Sequence, residues 1–342
     1  MKGLSFRNPI FFAVMILAMA TVCAIGAKEM DAFEQNKKLG RGVNIIGYDP
    51  IWKSRAEGRF KEKYFKTIKE GGFNTVRINL HPFPHMDANA PYRLSDSWFK
   101  LADWAVKNSL KSGLMVILDM HEYNTMGKDP AVNKEKFLSF WRQVAPHFKN
   151  APENVLFEVL NEPCRELTPE LWNQYCKEAL AIIRQSNPKR TLVIGPAVFN
   201  RIGHLDELML PEDDRNIIVT IHYYEPHSFT HQGAAWSEEN KNLSGIKWLG
   251  TEEEKQAIVN DFKKAEEWAK KHNRPIFLGE FGAYDKGDME SRVRYTSFVA
   301  RTAEKFGFSW AYWQFDSDFI VYDVKQDKWF EPIYSALIPL PH

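Results

Sequence analysis

From residue 40 onward, short apolar runs alternate with longer stretches in which apolar residues recur every three or four positions. Short apolar runs bounded by turn residues are typical of buried strands, whereas the longer period is typical of amphipathic helices. The apolar runs predict eight strands. They are expected over residues 42–46, 75–78, 115–119, 155–160, 192–194, 217–221, 276–279 and 309–313.

The stretches between these runs predict helices. Phe60, Tyr64, Phe65 and Ile68 fall on one helical face, and the longest helix is expected over residues 252–271. Helix starts carry N-capping residues, which accept a hydrogen bond from a free N–H of the first turn. The expected caps are Ser95, Thr168 and Thr251. After the fifth strand, only a short helix near 201–208 is expected.

Eight strand–helix alternations predict an α/β fold, a single (β/α)8 TIM barrel over residues 27–342. The length of 342 residues fits, since barrels of more than about 250 residues commonly form one domain. A doubly wound open sheet is the alternative. It is disfavoured because no Gly-x-Gly-x-x-Gly turn follows any predicted strand.

The first 26 residues have a different pattern. Lys2 and Arg7 precede an apolar run of sixteen residues, 10–25, which ends at the small residues Gly26 and Ala27. This order is typical of a secretory signal peptide, and the run is shorter than the roughly 18 residues of a spanning helix. We therefore expect residues 1–26 to be removed and the mature protein to be secreted, without stable membrane association. An uncleaved anchor is the alternative.

Charge and cysteine content exclude several classes. The formal net charge is +1, which gives no indication of nucleic-acid binding. Beyond the predicted signal peptide only Cys164 and Cys176 remain, so the chain is not a disulfide scaffold. Cys164 is expected to be a packed thiol and not a nucleophile. A monomer without cofactor is expected.

In a (β/α)8 barrel, the active site lies at the carboxyl ends of the strands. The fourth apolar run ends in Asn161-Glu162-Pro163, and the proline stops the strand because it has no N–H to donate. The seventh run ends at Glu280. Two carboxylates facing one another suit cleavage of an acetal, with one as proton donor and the other beside the developing oxocarbenium ion. Sequence gives no distance between them, so retention and inversion both stay open.

The remaining strand ends are also polar or aromatic, except for the fifth. They carry Asn44, Arg77, Asn79, Asp119, His121, His222, Tyr224 and Trp313. Asp119, His121, Glu122 and His222 raise the alternative of a metal cluster, but no His-x-x-x-His spacing links these four residues. We therefore expect no metal. Arg77 as a structural ion pair and Trp313 as a core residue are further alternatives.

Together these strand ends resemble glycoside hydrolase family 5, a family of retaining β-glycanases of the cellulase type. The similarity extends over nearly everything after residue 38 and rests on seven segments: RGVN, GFNTVRINL, VILDMHEY, LFEVLNEP, TIHYY, PIFLGEFG and WAYWQFD. The resemblance implies that Glu162 is the acid/base and Glu280 the nucleophile. It implies that the other site residues are Arg77, His121, Asn161, His222, Tyr224 and Trp313.

The resemblance also implies roles for these side chains. Asn161 would bind the sugar 2-hydroxyl, and Arg77 and Tyr224 would lower the pKa of Glu280. Glu162 would need a less cationic, more apolar environment to retain its proton. His121 and His222 would bind sugar hydroxyls or orient the two acids.

The cleft beyond the two acids is expected to be lined by two loops. In the loop 222–236, Trp236 is a candidate stacking platform, with His231 and Gln232 as partners for sugar hydroxyls. The loop 47–52 is expected to close the glycone end, with Asn44 directed into it. These residues complete the predicted substrate-binding set.

The resulting hypothesis is a secreted, retaining endo-β-1,4-glucanase that acts on cellulose-type β-glucan. The alternative is a β-mannanase or a bifunctional glucanase, mannanase or xyloglucanase, because the catalytic pair is common to all of them. A glycan-binding barrel without hydrolysis would require loss of one acid, and both are present. Transglycosylation through the same covalent intermediate stays open.

Overall fold

The computed structural model describes residues 31–339. Eight parallel strands form a closed barrel in chain order, each strand pairing with its neighbours in sequence and β8 pairing with β1. The predicted (β/α)8 barrel is thus confirmed, with every strand boundary within two residues of its expected position. The strands are β1 Arg41–Ile45, β2 Thr75–Leu80, β3 Met115–Met120, β4 Val155–Glu158, β5 Leu192–Ile194, β6 Ile217–Tyr223, β7 Ile276–Phe281 and β8 Ser309–Tyr312.

Helices surround this barrel and cover its outer face. Within residues 31–339 they are α1 Ala32–Leu39, α2 Lys63–Glu70, α3 Asp96–Lys111, α4 Tyr123–Lys128, α5 Pro130–His147, α6 Pro169–Ser186, α7 His227–Thr230, α8 Glu252–His272, α9 Met289–Lys305 and α10 Glu331–Leu337. After β5 there is only a 3-10 segment, Ile202–Glu207, in agreement with the short helix expected there.

The caps expected from the sequence are present. Ser95 and Thr168 accept hydrogen bonds from backbone N–H groups in the first turns of α3 and α6. Thr251 and Glu254 form a reciprocal capping box at the start of α8, which is 21 residues long. These bonds satisfy N–H groups that a helix start otherwise leaves unpaired, and they fix where each helix begins.

The barrel interior is apolar at its amino-terminal end and polar at its carboxyl end. Residues such as Ile117, Leu156 and Phe277 form an inner core that is fully buried. Helix α1 closes this end from below, since Ala32 and Leu39 belong to the same cluster. A larger apolar core fills the layer between the strands and the helices. The polar side chains are thereby confined to the end of the barrel where they form a cleft.

The last segment of the chain packs against α2. A short hairpin of β9 Tyr322–Asp323 and β10 Lys328–Trp329 is followed by α10, and the ring of Trp329 lies between Phe73 and Tyr334. Gly71, at the end of α2, has no Cβ that would obstruct this ring. A Cβ there would lie 2.2 Å from Trp329 Cζ2.

Two further sequence-level expectations concern the thiols and the membrane. Cys164 and Cys176 are both buried and unbridged, and burial raises the pKa of the Cys164 thiol to about 12. Among residues 31–339, no helix is long and apolar enough to cross a membrane. The predicted signal peptide, residues 1–26, lies outside the described part of the chain.

Replacing Gly71 by alanine is expected to destabilise the fold, because the added methyl group overlaps the Trp329 ring. Overpacking of this kind costs about 1–3 kcal/mol. Thermal unfolding should show a lower Tm for Gly71→Ala. Gly203→Ala is the matched control, since a Cβ at Gly203 meets nothing within 4 Å. Equal Tm values for the two variants would show that Trp329 is not packed as described.

Candidate active site

The carboxyl ends of the strands open into a cleft with a volume of about 900 Å³. Both predicted carboxylates, Glu162 and Glu280, line it. Its aromatic lining residues include Tyr48, Tyr123, Phe199, Trp236, Trp313 and Phe319. A cleft that combines aromatic surfaces with polar groups is suited to a sugar, whose ring faces are apolar and whose edges carry hydroxyls.

Glu162 is placed by the end of β4. Strand β4 ends at Glu158, but Val159 N still donates to Val193 O and Asn161 N to Met120 O. The extended backbone therefore continues two to three residues beyond the strand. Glu162 has a positive φ of 40°, which turns the chain at the barrel mouth before Pro163. Its side chain is 14% exposed and lies at the edge of the cleft.

Glu280 is placed by a β-bulge. In the β6–β7 pairing, Ile221 pairs with Leu278 and His222 with Glu280, so Gly279 is an extra residue in β7. The bulge changes the direction of the side chains that follow it. Gly279 suits this position because a Cβ would lie 2.5 Å from Thr220 Oγ1 and 2.9 Å from His222 Nε2. Glu280 and His222 are thus brought side by side.

The structure supplies the distance that the sequence left open. One carboxylate oxygen each of Glu162 and Glu280 and one ring nitrogen of His222 lie within 4.8 Å of one another. His222 Nδ1 is 2.7 Å from Glu162 Oε1 and 3.6 Å from Glu280 Oε2. Carboxyl groups about 5–5.5 Å apart are typical of retaining enzymes, whereas inverting enzymes need about 6.5–9.5 Å to admit a water. With one oxygen of each carboxyl within 4.8 Å of the other, the pair fits the retaining arrangement better than the inverting one.

The same trio is close enough to bind a cation, but hydrogen bonds already account for its contacts. His222 lies against Glu162, while Glu280 accepts from Arg77 Nη1 at 2.8 Å and from the Tyr224 hydroxyl at 3.0 Å. The set shares only His222 with the cluster considered in the sequence, whose other members were Asp119, His121 and Glu122. The proximity of the three groups therefore needs no metal to explain it.

Arg77 lies beneath the cleft and not in it, which corrects its assignment as a substrate-binding residue. The side chain is fully buried. Its guanidinium donates to both oxygens of Glu158, at 2.6 and 2.8 Å, and to Glu280 Oε1 and Asn161 Oδ1, at 2.8 and 2.7 Å. Arg77 Nη2 is also 3.2 Å from Asp119 Oδ2. Arg77 therefore positions Glu280 and Asn161 from below.

Asn44 requires the same correction. It is fully buried, and its Oδ1 accepts from Arg77 Nη1 at 2.8 Å and from Asn79 Nδ2 at 3.1 Å. Its Nδ2 donates to the carbonyl of Gly279 at 3.0 Å. With both ends of its amide in use under the floor of the cleft, Asn44 holds Arg77 and the β7 bulge in place instead of binding substrate.

Burial raises the pKa of both acids. The pKa of Glu162 is raised to about 8 and that of Glu280 to about 7, mainly because desolvation disfavours the charged form. Arg77 acts to lower the pKa of Glu280, as expected, but burial outweighs it, so the pKa is raised overall. The order is as expected, with Glu162 holding its proton to higher pH. Glu280 accepts hydrogen bonds from Arg77 and Tyr224, which stabilise its ionised form. Glu162 accepts no hydrogen bond from either of these two residues.

His121, Asn161 and Trp313 line the cleft beside these acids. His121 Nδ1 is 2.6 Å from Asp119 Oδ2, which orients the imidazole, and Asn161 Nδ2 is 3.5 Å from His121 Nε2. The rings of His121 and Trp313 are stacked, with centroids 5.5 Å apart at 8°. Asn161 faces the cleft next to Glu162, as its predicted contact with a sugar 2-hydroxyl requires. That contact stays a prediction.

The loop after β6 divides into a cleft-facing part and a buried part. Trp236 lines the cleft, is 56% exposed, and packs edge-on against Tyr284 at 4.8 Å. Its position fits a stacking platform, and His231 also lines the cleft. Gln232 does not. Its amide is buried and bonds to the backbone N and O of Ile246, at 3.0 and 2.7 Å, so the prediction that it binds hydroxyls is wrong.

Sequence reasoning missed two residues of this site, Glu158 and Asn200, and included a third, Tyr48, only as part of the loop 47–52. Glu158 forms the bidentate pair with Arg77, and a carboxylate within an apolar run was its signal. Tyr48 projects into the cleft from the first loop and contacts Trp313 edge-on at 6.0 Å. Asn200, after β5, is buried against His222, and no sequence signal marked it. Asn200 is the polar residue at the end of the fifth strand that the sequence had not indicated.

The family model for cellulase (glycosyl hydrolase family 5) matches residues 35–318. The chain belongs to glycoside hydrolase family 5. This confirms the resemblance seen in the sequence segments. The two carboxyls predicted to be catalytic, Glu162 and Glu280, lie at the ends of β4 and β7.

Relatives within family 5 are similar over most of this chain. Endoglucanase H of Acetivibrio thermocellus is 31% identical over 91% of the chain, and Endoglucanase 3 of Fibrobacter succinogenes is 28% identical over 88%. The chain spans 34% and 53% of the length of these two proteins. The crystal structure of Thermotoga maritima Cel5A in complex with mannotriose is 44% identical, with a TM-score of 0.85 over 90% of this chain and all of that one.

The pKa values predict a bell-shaped pH dependence of kcat/KM. Activity needs Glu280 ionised and Glu162 protonated, so the rate should rise with pH through about 7 and fall through about 8. Tyr224→Phe removes a hydrogen bond to the Glu280 carboxylate, which should move the acidic limb to higher pH and leave the alkaline limb in place.

Tyr223→Phe is the control for this measurement, because the Tyr223 hydroxyl donates to Asp261 and not to Glu280. Initial rates on a soluble aryl glycoside between pH 4 and 10 would give both limbs. An acidic limb that stays in place in Tyr224→Phe, or moves equally in Tyr223→Phe, would contradict the assignment of Glu280 as the group that must be ionised.

Proposed function

We propose that this chain is a retaining endo-β-1,4-glucanase that hydrolyses cellulose-type β-glucan. The observation that carries the proposal is the pair Glu162 and Glu280, whose facing atoms lie within 4.8 Å at the mouth of an open cleft. Their hydrogen bonds differ in the sense that the mechanism needs, with Glu280 stabilised as an anion and Glu162 keeping its proton.

The mechanism follows from these positions. Glu280 attacks the anomeric carbon while Glu162 transfers its proton to the leaving glycosidic oxygen, so a glycosyl–enzyme ester forms as the C–O bond to the aglycone breaks. Glu162, now ionised, then removes a proton from a water molecule that attacks the same carbon. This second displacement breaks the ester, restores both carboxyl groups and leaves the product with its original anomeric configuration.

Two features support a polymer of β-linked glucose as the substrate. The curated relatives Endoglucanase H and Endoglucanase 3 carry that activity in their names. Trp236 and Trp313 both line the same cleft and offer apolar surfaces for sugar rings. An open cleft suits internal cleavage, since an exo-acting site needs one blocked end.

Mannan or glucomannan is the second candidate. Crystal structures of Thermotoga maritima Cel5A have been determined with mannotriose and with cellobiose, which differ at the sugar 2-hydroxyl. In this chain the position of Asn161 beside Glu162 is where an equatorial or axial 2-hydroxyl would be distinguished. A bifunctional glucanase and mannanase is thus consistent with the same site.

The proposal extends to location and assembly. The apolar run 10–25, preceded by Lys2 and Arg7, supports secretion with removal of residues 1–26. The barrel carries its catalytic residues on one chain, which supports action as a monomer. Amino-terminal sequencing of the exported protein and light scattering of the mature enzyme would test these two statements.

Variants of the two acids should separate their roles. Glu280→Gln is expected to abolish turnover with the fold intact. Glu162→Ala should lose about 10²–10⁴-fold in kcat/KM on substrates with poor leaving groups and far less on activated aryl glycosides, which need little protonation. Full activity of Glu280→Gln would refute the nucleophile assignment, and equal losses on both substrate classes would refute the acid role of Glu162.

Product analysis would test the reaction and the substrate together. We expect proton NMR during hydrolysis of cellopentaose to show the β-anomer first, followed by slow mutarotation. Parallel assays on carboxymethyl-cellulose, glucomannan, mannan and xyloglucan should give the highest kcat/KM on a β-1,4-glucan. Initial formation of the α-anomer would rule out retention, and activity confined to mannan would replace glucanase by mannanase.

A further inference from the structure

Asn200 makes a contact to the catalytic centre that the mechanism above does not use. It lies in the loop between β5 and the 3-10 segment and is fully buried. Its Nδ2 is 3.3 Å from His222 Nε2, and its backbone carbonyl accepts from His222 N at 3.0 Å. The opposite ring nitrogen, His222 Nδ1, is the one that lies 2.7 Å from Glu162 Oε1. Asn200, His222 and Glu162 therefore form one chain of hydrogen-bonded groups.

The backbone around Asn200 is held in an uncommon conformation. Val198, Phe199 and Asn200 all have positive φ values, of 60°, 62° and 55°. Non-glycine residues are disfavoured in this region, and such strain persists where the surrounding structure enforces it. Asparagine adopts the conformation more readily than other side chains, and valine much less readily.

One hydrogen bond and one glycine allow this strained loop to hold its position. Phe199 N donates to Pro163 O at 3.2 Å, which ties the loop to the segment that carries Glu162. Gly195, just after β5, makes room for the Asn200 side chain, since a Cβ there would lie 2.2 Å from Asn200 Oδ1. The strained conformation therefore places the Asn200 amide against the His222 imidazole.

The amide determines which imidazole nitrogen carries hydrogen. Burial lowers the pKa of His222, so the ring is neutral and has a single N–H. Nδ2 of Asn200 is a donor, which makes Nε2 the acceptor and leaves the hydrogen on Nδ1. Nδ1–H then donates to Glu162 Oε1. In the opposite tautomer, the unprotonated Nδ1 would accept a hydrogen bond from the protonated Glu162, and that bond would hold the acidic proton away from the leaving group.

We propose that Asn200 is a positioning residue that fixes His222 in the Nδ1–H tautomer, so that Glu162 Oε1 accepts a hydrogen bond and its acidic proton stays on the other oxygen, free for the leaving group. This inference rests on the proposed function, in which Glu162 is the general acid. It assigns to the fifth strand end a catalytic-support role that neither the sequence nor the family comparison indicated.

The neutrality of Asn200 is part of the argument. The charged groups that act on Glu162 or His222 from the neighbouring strands and loops include Arg77, Asp119, Glu158, Arg201 and Glu280. Other titratable groups that interact with them are His121, Tyr48, Tyr123 and Tyr224, which are neutral in the working pH range. An amide sets the tautomer without changing this balance. An aspartate at position 200 would accept from Nε2–H and favour an imidazolium, whose charge beside Glu162 would lower the pKa of that acid.

Two substitutions at position 200 test the proposal. Asn200→Gly removes the amide and keeps the backbone, because glycine adopts a positive φ freely. We expect its kcat/KM to fall about tenfold on glycosides with poor leaving groups, the size of one lost hydrogen bond of about 1.4 kcal/mol, and to change little on activated aryl glycosides. Asn200→Asp should move the alkaline limb of the pH profile to lower pH.

Thr220→Val is the matched control. Thr220 Oγ1 is buried next to His222 and has no hydrogen-bond partner within residues 31–339, so its loss should change neither the leaving-group dependence nor the pH profile. Equal losses on both classes of substrate in Asn200→Gly, or an unmoved alkaline limb in Asn200→Asp, would reduce Asn200 to a structural residue.

The tautomer can be read directly, without turnover. Nitrogen-15 NMR distinguishes protonated from unprotonated imidazole nitrogens, and the His222 signals are assigned by their absence in His222→Gln. The wild-type protein should show hydrogen on Nδ1, and Asn200→Gly a mixture of tautomers. Hydrogen on Nε2 in the wild type would overturn the proposal even if no position-200 variant folds. Absence of hydrolysis with the expected tautomer present would instead indicate that the proposed function has failed.

Discussion

The buried guanidinium of Arg77 is the interaction on which the rest of the site depends. Burying an ion is costly unless it is paired and hydrogen-bonded, and Arg77 meets this condition through Glu158, Glu280, Asn161 and Asn44. These partners come from three other strands or strand ends of the barrel. One planar cation therefore fixes the relative positions of the nucleophile, of the segment that carries the acid, and of the amide beside it.

The opposite roles proposed for the two carboxyls, Glu162 and Glu280, then arise from different neighbours and not from different burial. Glu280 receives hydrogen bonds from Arg77 and Tyr224, whereas Glu162 faces a neutral imidazole. Burial raises both pKa values above those of an unfolded chain, so the folded state holds these protons to higher pH than the unfolded state. Their contribution to stability is therefore lost progressively as pH rises from about 4.5 to about 8. The raised pKa values that suit the proposed mechanism therefore come with a lower stability of the folded protein at neutral pH.

Sequence-level reasoning succeeded wherever one local pattern determined the outcome. Apolar periodicity located all eight strands, and the caps at Ser95, Thr168 and Thr251 fixed helix starts. It failed where side chains of similar type have different depths. Asn44, Arg77 and Asn161 all lie at strand ends, yet only Asn161 lines the cleft, because successive residues and the tilt of each strand decide which layer a side chain enters.

The sequence by itself determined the barrel, the two acids and the family, because hydrophobic period and strand-end chemistry are properties of short segments. Tertiary structure alone decided the distance between Glu162 and Glu280, since it depends on barrel closure and on the bulge at Gly279. It also decided that Gln232 supports its own loop and that Asn200 reaches His222. Those contacts join residues 14 and 22 positions apart through backbone turns that no local pattern encodes.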